Sequence, residues 1–158
     1  MLSIVGGTVT ASFFSHSPRF KSTAFALAQA ATVDLAIVYG LKYATQRERP
    51  DGSDNQSFPS GHTSQAFAMA SVAQHHYGWK IGVPAYALAG LMGASRIHED
   101  KHWLSDVVAG AALGYIAGRT VVRVNRRPLE RFASGGATLS VSPIVSRHAR
   151  GLQMSMVF

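Results

Sequence analysis

The sequence predicts a mainly α-helical protein, in which a helical bundle is followed by a C-terminal β-hairpin. Alanine-rich apolar stretches separated by polar loops fill the chain from residue 22 to residue 123, as expected for buried helices. Gly110, Gly114 and Gly118 stand at every fourth position, which is the spacing of a close helix–helix contact. From residue 137 onwards, apolar and polar residues alternate, which is typical of β-strands.

Four helices are expected, over residues 22–44, 63–77, 80–97 and 102–123. Ser22 or Thr23 is a suitable N-terminal cap for the first helix. Gly78 is expected to end the second helix, because glycine readily adopts the left-handed conformation of a C-terminal cap. Pro84 is expected in the first turn of the third helix, where its missing N–H costs no hydrogen bond.

The remainder of the chain divides into a basic connector and the predicted hairpin. Residues 125–136 are basic and contain proline and glycine, whereas residues 137–145 and 151–158 alternate on either side of a turn. An isolated hairpin is only marginally stable in water, so this one should pack on the bundle or on a partner. We therefore expect a helical domain over residues 1–124 and a connector with a hairpin over residues 125–158.

The composition indicates a globular protein with anionic partners. With 158 residues, of which 47% are hydrophobic and 15% charged, the chain can bury a core and is not a disordered tail. A net charge of +7 favours phosphorylated substrates or acidic lipid head groups. The basic residues are scattered and not interleaved with aromatic residues, so no nucleic-acid partner is expected. The sequence has no cysteine, which excludes disulfides and thiolate metal sites.

Signals for secretion and membrane insertion are weak. Residues 2–5 are too short for the apolar core of a secretory signal, and no Lys or Arg precedes Arg19. Residues 81–95 are uncharged but fall short of the ~20 residues of a membrane span. Residues 23–41 are long enough, but Asp34 lies in their middle, a costly position in lipid. These features favour a soluble or membrane-apposed protein, and the expected location is periplasmic or membrane-associated.

Candidate phosphate-binding residues occur in two clusters in the first half of the chain. Lys42 ends the first predicted helix, and Arg49 precedes a proline that keeps it out of helical conformation. Further along, Ser60 offers a hydroxyl and Gly61 an accessible N–H at a helix start that favours anions, and His62 follows. Taken separately, the first cluster is explained by the preference of cations for helix C-termini, and the second by an ordinary Ser/Gly helix start.

A third cluster contains Arg96, His102 and Asp106. On a helix, His102 and Asp106 share a face, and a carboxylate on one ring nitrogen leaves the other nitrogen free to attack. Arg96 offers planar, bidentate donors to an oxyanion. Taken separately, such an Asp–His pair is typical of a solvated surface. Together, the three clusters supply three cations, an anion-binding turn, two histidines and a carboxylate, a set suited to phosphoryl transfer without a metal.

In this order, the three clusters resemble the signature of the type 2 phosphatidic acid phosphatase superfamily, which includes bacterial non-specific acid phosphatases and vanadium-dependent haloperoxidases. That signature is Lys, six residues and Arg-Pro; then Pro-Ser-Gly-His; then Ser-Arg, five residues, His, three residues and Asp. Here the three parts fall at residues 42–50, 59–62 and 95–106, all intact. The resemblance implies a helical bundle of the acid phosphatase and vanadium haloperoxidase type.

The resemblance also implies a role for each residue. His102 is expected to be the nucleophile that forms a phosphohistidine, with Asp106 orienting it. His62 is expected to protonate the leaving oxygen and then to activate the hydrolytic water. The implied phosphate cradle consists of Lys42, Arg49, Ser60, Gly61 and Arg96. Neither a metal nor a cofactor is implied, although vanadate should bind as a phosphate analogue.

The expected activity is therefore metal-independent hydrolysis of phosphomonoesters. Lipid phosphates, pyrophosphorylated lipid carriers, nucleotides and sugar phosphates all fit, and lipids would be favoured by membrane association. One alternative is a vanadium-dependent haloperoxidase, for which the chain is short. Another is a non-catalytic phosphate-binding or membrane-binding protein, which would need no nucleophile and no acid. Fewer helices precede Lys42 than is usual in the family, so either the N-terminus is truncated or a minimal bundle is completed by a partner, such as a second copy.

Overall fold

The computed structural model of the protein describes residues 18–133, 138–145 and 150–157, with side chains over residues 19–125. The described chain contains four helices, which confirms the mainly α-helical class. The elements are α1 Pro18–Thr45, α2 Gly61–Tyr77, α3 Trp79–His98, α4 Leu104–Ala133, β1 Thr138–Val145 and β2 Arg150–Val157.

The chain divides into two compact units, Met1–Val122 and Arg123–Phe158. In the second unit, β1 and β2 are antiparallel, with Thr138 opposite Val157. The predicted connector differs from the structure, because α4 continues to Ala133. The arginines, leucine and glutamate of this stretch are strong helix formers, and one internal proline does not stop the helix. The proposed division at residue 124 and the packing of the tail stay predictions.

The start of α1 differs from the prediction. The helix begins at Pro18, so Ser22 and Thr23 lie inside it and do not cap it. Their hydroxyls donate to the carbonyl of Arg19 at 2.9 and 2.8 Å. Proline is preorganised for the first turn of a helix, which accounts for the earlier start. At the other end, Gln46 adopts a φ of 45°, and its N–H closes the last turn on the Lys42 carbonyl at 3.0 Å.

The junction between α2 and α3 consists of a single residue. Gly78 ends α2 with a φ of 78°, as predicted. Because α3 begins immediately afterwards at Trp79, Pro84 lies inside the helix and not in its first turn. Its missing N–H leaves the carbonyl of Lys80 without its usual helical partner. The predicted position was wrong, because even from the predicted start at residue 80 Pro84 lies beyond the first four residues of the helix.

The glycine stripe of α4 packs directly on α2. A Cβ at Gly110, Gly114 or Gly118 would run into backbone carbonyl oxygens of Ser60, Ser64 and Ala68, respectively. The two helices therefore approach closely enough for backbone to touch backbone. The core around them is correspondingly small: the buried residues Ala26, Ala30, Val72, Val121 and Val122 form one cluster. This contact brings the start of α2 next to the first turns of α4.

Among the residues that the structure describes, two helices are long and apolar enough to cross a membrane by length and composition, over Arg19–Thr45 and Leu104–Asn125. Asp34 does not oppose this, because its side chain is fully buried and accepts a hydrogen bond from the Ser64 hydroxyl. Apolar side chains of these helices and of α3 instead face outwards, among them Phe25, Val33, Ile37, Leu88, Leu91, Leu104, Val108 and Ile116.

Candidate active site

A cavity of about 520 Å³ opens between α1, the start of α2, the end of α3 and the loops that precede α2 and α4. Six of the eight predicted site residues line it: Lys42, Arg49, Gly61, His62, Arg96 and His102. They come from positions that span 60 residues of sequence. The fold therefore brings the three sequence clusters to one place.

His102 lies in the loop before α4, and not on the helix as predicted. Only 3% of the residue is exposed. Its Nδ1 is 2.7 Å from the carbonyl oxygen of Ser57. A carbonyl can only accept a hydrogen bond, so Nδ1 carries the proton and Nε2 keeps its lone pair. Nε2 in turn lies 3.5 Å from Nη1 of Arg49, on the side where a phosphate would bind.

The surroundings keep His102 neutral. Burial lowers the pKa of its ring from 6.5 to about 4, and the positive charges of Lys42 and Arg49 act in the same direction. The Ser57 carbonyl and the Asp106 carboxylate oppose this shift but do not overcome it. A neutral ring with an available lone pair is the form that a nucleophile requires.

Asp106 lies behind His102 and does not line the cavity. It is fully buried and accepts three hydrogen bonds, from the Ser57 hydroxyl, the Trp103 N–H at 2.9 Å and Nη1 of Arg47 at 2.6 Å. The nearest distance from its carboxylate to Nδ1 of His102 is 3.8 Å, which is too long for a hydrogen bond. The expected direct contact is not made, because His102 precedes the helix and its ring nitrogen is already bonded to Ser57.

Each of the three predicted phosphate-binding cations is held in place by oxygen atoms. Arg49 donates through Nε to Asp54 at 2.6 Å and through Nη1 to the Lys101 carbonyl at 3.0 Å. Lys42, which is 7% exposed, donates to the carbonyl of Gln56. Arg96 pairs with Glu99 at 2.6 Å. Side chains with several fixed donors can present the remaining ones to a phosphate in a defined geometry.

The two loops that carry Arg49 and His102 are tied together. The N–H of Asp51 donates to the Asp100 carbonyl at 3.1 Å, and Lys101 pairs with the Asp51 carboxylate. The hydrogen bonds from Lys101 and Ser53 hold the pKa of Asp51 well below its usual range. The loop that carries Arg49 and the loop that carries His102 are therefore crosslinked before a substrate binds.

His62 is held much more loosely. It lies in the first turn of α2 with its side chain exposed to the cavity. Within residues 19–125, no hydrogen bond fixes its ring. Burial and the positive charge of Arg96 lower the pKa of His62 from its usual value of 6.5. His62 and His102 therefore line the same cavity, but the described side chains fix only the ring of His102.

Ser60 is the second predicted residue that does not line the cavity. It is fully buried, its hydroxyl is 2.9 Å from that of Thr63, and its N–H donates to the Asp106 carbonyl at 3.0 Å. Its side chain therefore fixes the start of α2 and is turned away from the expected phosphate position. Gly61 does line the cavity, and a Cβ there would press on Val38 at 3.3 Å.

Several cavity residues were not predicted. Leu35, Val38 and Tyr39 form an apolar wall on α1 that leads towards Lys42. Their spacing from Lys42 is helical, so a helix-face analysis from the sequence would have found them. By contrast, Ser57 contacts His102 through its backbone carbonyl. Every residue type has this group, so the sequence gives no sign of the contact.

The donor set suits an anion. Three cations and two histidines converge, and in the described part of the chain no three His, Asp or Glu side chains cluster in a way that would hold a metal. Such an arrangement can bind a phosphoryl group, offer a nitrogen nucleophile to it, and exchange a proton through a second imidazole.

The chain is similar to several known proteins. The model of the PAP2 superfamily matches residues 22–129. Lipid A 1-phosphatase of Porphyromonas gingivalis is 39% identical over 112 residues, which are 66% of this chain and 25% of that protein. Lipid A 4'-phosphatase of Helicobacter pylori is 31% identical over 100 residues, or 56% of this chain and 50% of that protein.

A solved structure is also similar. The crystal structure of Aquifex aeolicus LpxE superposes with a TM-score of 0.68 and 26% identity, over 77% of each chain. The chain spans a quarter of the length of the Porphyromonas gingivalis protein and half of the length of the Helicobacter pylori protein.

Proposed function

The chain belongs to the PAP2 superfamily, and on that premise we propose that it is a phosphatase that hydrolyses phosphomonoesters through a phosphohistidine on His102. Nε2 of His102 attacks phosphorus, and the bond to the ester oxygen breaks as that oxygen takes a proton from His62. Water then loses a proton to His62 and attacks phosphorus, which breaks the P–N bond and releases inorganic phosphate. Lys42, Arg49 and Arg96 stabilise the charge on the phosphoryl oxygens throughout.

One observation carries this proposal: the unprotonated Nε2 of His102 lies 3.5 Å from the Arg49 guanidinium inside a cavity that His62 also lines. A protein that only bound phosphate would gain nothing from a buried imidazole with its lone pair directed at the anion. The same chemistry needs no metal, because three fixed cations supply the positive charge that a metal would provide.

Lipid phosphates are the substrate class that we propose within the phosphomonoesters. The apolar wall of Leu35, Val38 and Tyr39 adjoins the phosphate-binding side chains, so a substrate with an apolar part would bury it there. Two relatives are named as lipid A phosphatases, one acting at position 1 and the other at position 4'. The two membrane-length helices and the outward apolar side chains favour a membrane-associated enzyme.

The C-terminal part of the chain belongs to the proposal as well. We propose that residues 138–157 act as a β-hairpin packed on the helical domain or on a partner, as the alternating sequence and the pairing of β1 with β2 suggest. A homo-oligomer also remains a proposal, and size-exclusion chromatography with light scattering in detergent would detect it.

Purified protein with a chromogenic phosphomonoester and with a lipid phosphate in mixed micelles tests the proposed activity. We expect hydrolysis of both, competitive inhibition by vanadate, which mimics the pentacoordinate transition state, and a higher kcat/KM for the lipid. Vanadate with peroxide and halide is the second arm. Halide oxidation without phosphate release would support a haloperoxidase, and binding of phosphate without turnover would support a non-catalytic protein.

Two tyrosines on α1 form a matched pair for testing the lipid. Tyr39 lines the cavity, whereas Tyr43, one turn later and 66% exposed, does not. Tyr39→Ala should lower kcat/KM for the lipid phosphate about tenfold, the equivalent of ~1.4 kcal/mol, while the chromogenic ester is little affected. Tyr43→Ala should change neither. Equal losses for both substrates in Tyr39→Ala would remove the apolar wall from the account of specificity.

A further inference from the structure

The carboxylate of Asp106 and the ring of His102 are separated by Ser57. The ring bonds to the Ser57 carbonyl at 2.7 Å, and the Ser57 hydroxyl donates to Oδ2 of Asp106. The direct distance between Nδ1 and the carboxylate is 3.8 Å. All three residues are buried, with exposures of 3% for His102 and zero for Ser57 and Asp106, so no bulk water replaces these contacts.

Arg47 closes this arrangement into a ring of hydrogen bonds. Its backbone carbonyl accepts the N–H of Ser57 at 2.8 Å, and its Nη1 donates to Oδ1 of Asp106 at 2.6 Å. The guanidinium also contacts the Ser105 hydroxyl at 2.7 Å and lies over the Trp103 ring at 5.6 Å. Ser57 is therefore fixed at its N–H by Arg47 and at its hydroxyl by Asp106.

Resting on the function proposed above, we propose that Asp106 orients His102 through Ser57 and not by direct contact. Ser57 and Arg47 are positioning residues in this arrangement. The Ser57 carbonyl holds the proton on Nδ1, the ring of hydrogen bonds holds that carbonyl in place, and the nucleophilic Nε2 consequently points at the phosphate position. None of the three groups touches the phosphate.

The burial of Asp106 supports this assignment. A carboxylate with no exposure needs partners for its charge, and here both oxygens are occupied by donors other than the imidazole. If the carboxylate bonded the imidazole directly, the ring would have to leave the Ser57 carbonyl, and that buried carbonyl would lose its partner. The observed arrangement leaves neither group unsatisfied.

A double-mutant cycle tests the pathway between the two residues. Ser57→Ala and Asp106→Asn should each lower kcat about 10- to 100-fold, because small misplacements of a reacting group cost this much. KM should change less than about twofold, since neither residue lines the cavity. The double variant should lose little more than the worse single variant, at least about tenfold less than the product of the two losses. Independent, multiplicative losses would overturn the proposal.

A matched control separates positioning from stability. Ser64 is also a fully buried serine whose hydroxyl donates to a buried carboxylate, that of Asp34, but neither residue lines the cavity. Ser64→Ala should leave kcat and KM unchanged while lowering the thermal unfolding midpoint by an amount similar to Ser57→Ala. If Ser64→Ala lowers kcat as much as Ser57→Ala does, the effect of Ser57 is structural and the proposal fails.

The tautomer of His102 can be observed without turnover. Ring nitrogen shifts of protein labelled with ¹⁵N-histidine should show the His102 proton on Nδ1, with the signal identified by its absence from His102→Ala. Ser57→Ala should increase the population with the proton on Nε2, and Ser64→Ala should not. A wild-type proton on Nε2 would overturn the proposal. This outcome is distinct from a failure of the phosphatase proposal, in which the tautomer is as expected but no ester is hydrolysed.

Arg47 provides a second test at a site where the fold tolerates change, because 40% of its side chain is exposed. Arg47→Gln should lower kcat about 10- to 100-fold with little change in KM. Arg47→Lys keeps the charge towards Asp106 and should recover much of the loss. Arg119 also lies over an aromatic ring, that of Tyr115 at 5.8 Å, but it is Arg47 that bonds Asp106, so Arg119→Gln should be neutral. Full activity of Arg47→Gln would remove Arg47 from the arrangement.

Discussion

The two histidines of the cavity are held in opposite ways. His102 is 3% exposed, is bonded to the Ser57 carbonyl and stands in front of a closed set of hydrogen bonds. His62 is exposed to the cavity, and within residues 19–125 its ring has no hydrogen-bond partner. The ring of His102 is therefore held in one orientation before a substrate binds, whereas the described side chains do not fix the ring of His62.

This difference matches the roles that we propose for the two histidines. A nucleophile reacts with one atom along one line, so fixing its lone pair in advance removes entropy from the barrier. An acid that also serves as a base meets two different oxygens, first that of the leaving group and later that of water. A ring that can rotate serves both, and its partner is supplied by the substrate.

Removal of the fixed histidine should have the largest effect. His102→Ala deletes the covalent step, and kcat should fall by at least about 10⁴-fold for every substrate, whatever its leaving group. Labelling with a ³²P-phosphoester, quenched by SDS at alkaline pH because the P–N bond of phosphohistidine is acid-labile, should give labelled wild-type protein and unlabelled His102→Ala. Label mapped to His62, or to any residue other than His102, would reverse the comparison between the two histidines.

Removal of the loosely held histidine should cost less. His62→Ala keeps the nucleophile and loses the proton donor, which is typically worth about 10²–10⁴-fold. The loss should shrink for an ester with a good leaving group such as p-nitrophenol, because that oxygen needs little protonation. Phosphohistidine should accumulate, since activation of water is also impaired. A loss independent of leaving-group pKa would contradict the role of His62 as the acid.

The pH dependence should show both histidines. The pKa of His102, lowered to about 4, keeps the nucleophile unprotonated at higher pH, so kcat/KM should fall only as pH drops through about 4. The pKa of His62 lies below its usual 6.5. Its protonated form is therefore lost as pH rises through this lowered pKa, and this loss sets the alkaline limb of kcat/KM. His62→Ala should keep the acidic limb and lose the alkaline one. An alkaline limb that persists in His62→Ala would come from titration of the substrate and not of His62.

Chelation should have the smallest effect. With Lys42, Arg49 and Arg96 supplying charge to the phosphoryl oxygens, EDTA is expected to leave the rate unchanged. A metal-dependent phosphatase treated in parallel provides the control for effective chelation. Inactivation that magnesium or zinc reverses would show that the fixed cations do not suffice.

The sequence was most informative where chemistry resides in a side chain of a defined type. The lysine, arginines and histidines at the predicted positions line the cavity. They could be recognised in the sequence because few other residue types bind phosphate or attack it. The helices were also predictable, since their apolar alanine-rich stretches and Gly78 carry strong local signals. The start of α1 and the end of α4 were not, because local propensity near a helix end is nearly balanced.

Contacts were less predictable than residues. Ser60 and Asp106 belong to the expected set, but both are turned away from the cavity and bonded to each other through the Ser60 N–H and the Asp106 carbonyl. Asp34 looked unsuited to lipid until the structure placed it inside the bundle with the Ser64 hydroxyl. In each case the residue type shows that a buried polar group needs a hydrogen-bond partner, but it does not show which residue provides that partner.

The sequence by itself indicated the family, the helical class and six of the side chains or glycines that line the cavity, because these depend on residue type and local spacing. Only the tertiary structure decided how Asp106 reaches His102. That link runs through the backbone carbonyl of Ser57, which every residue type possesses, and through Arg47, 59 positions away from the carboxylate that it binds. Backbone groups and long-range pairs leave no local pattern, so folding alone selects them.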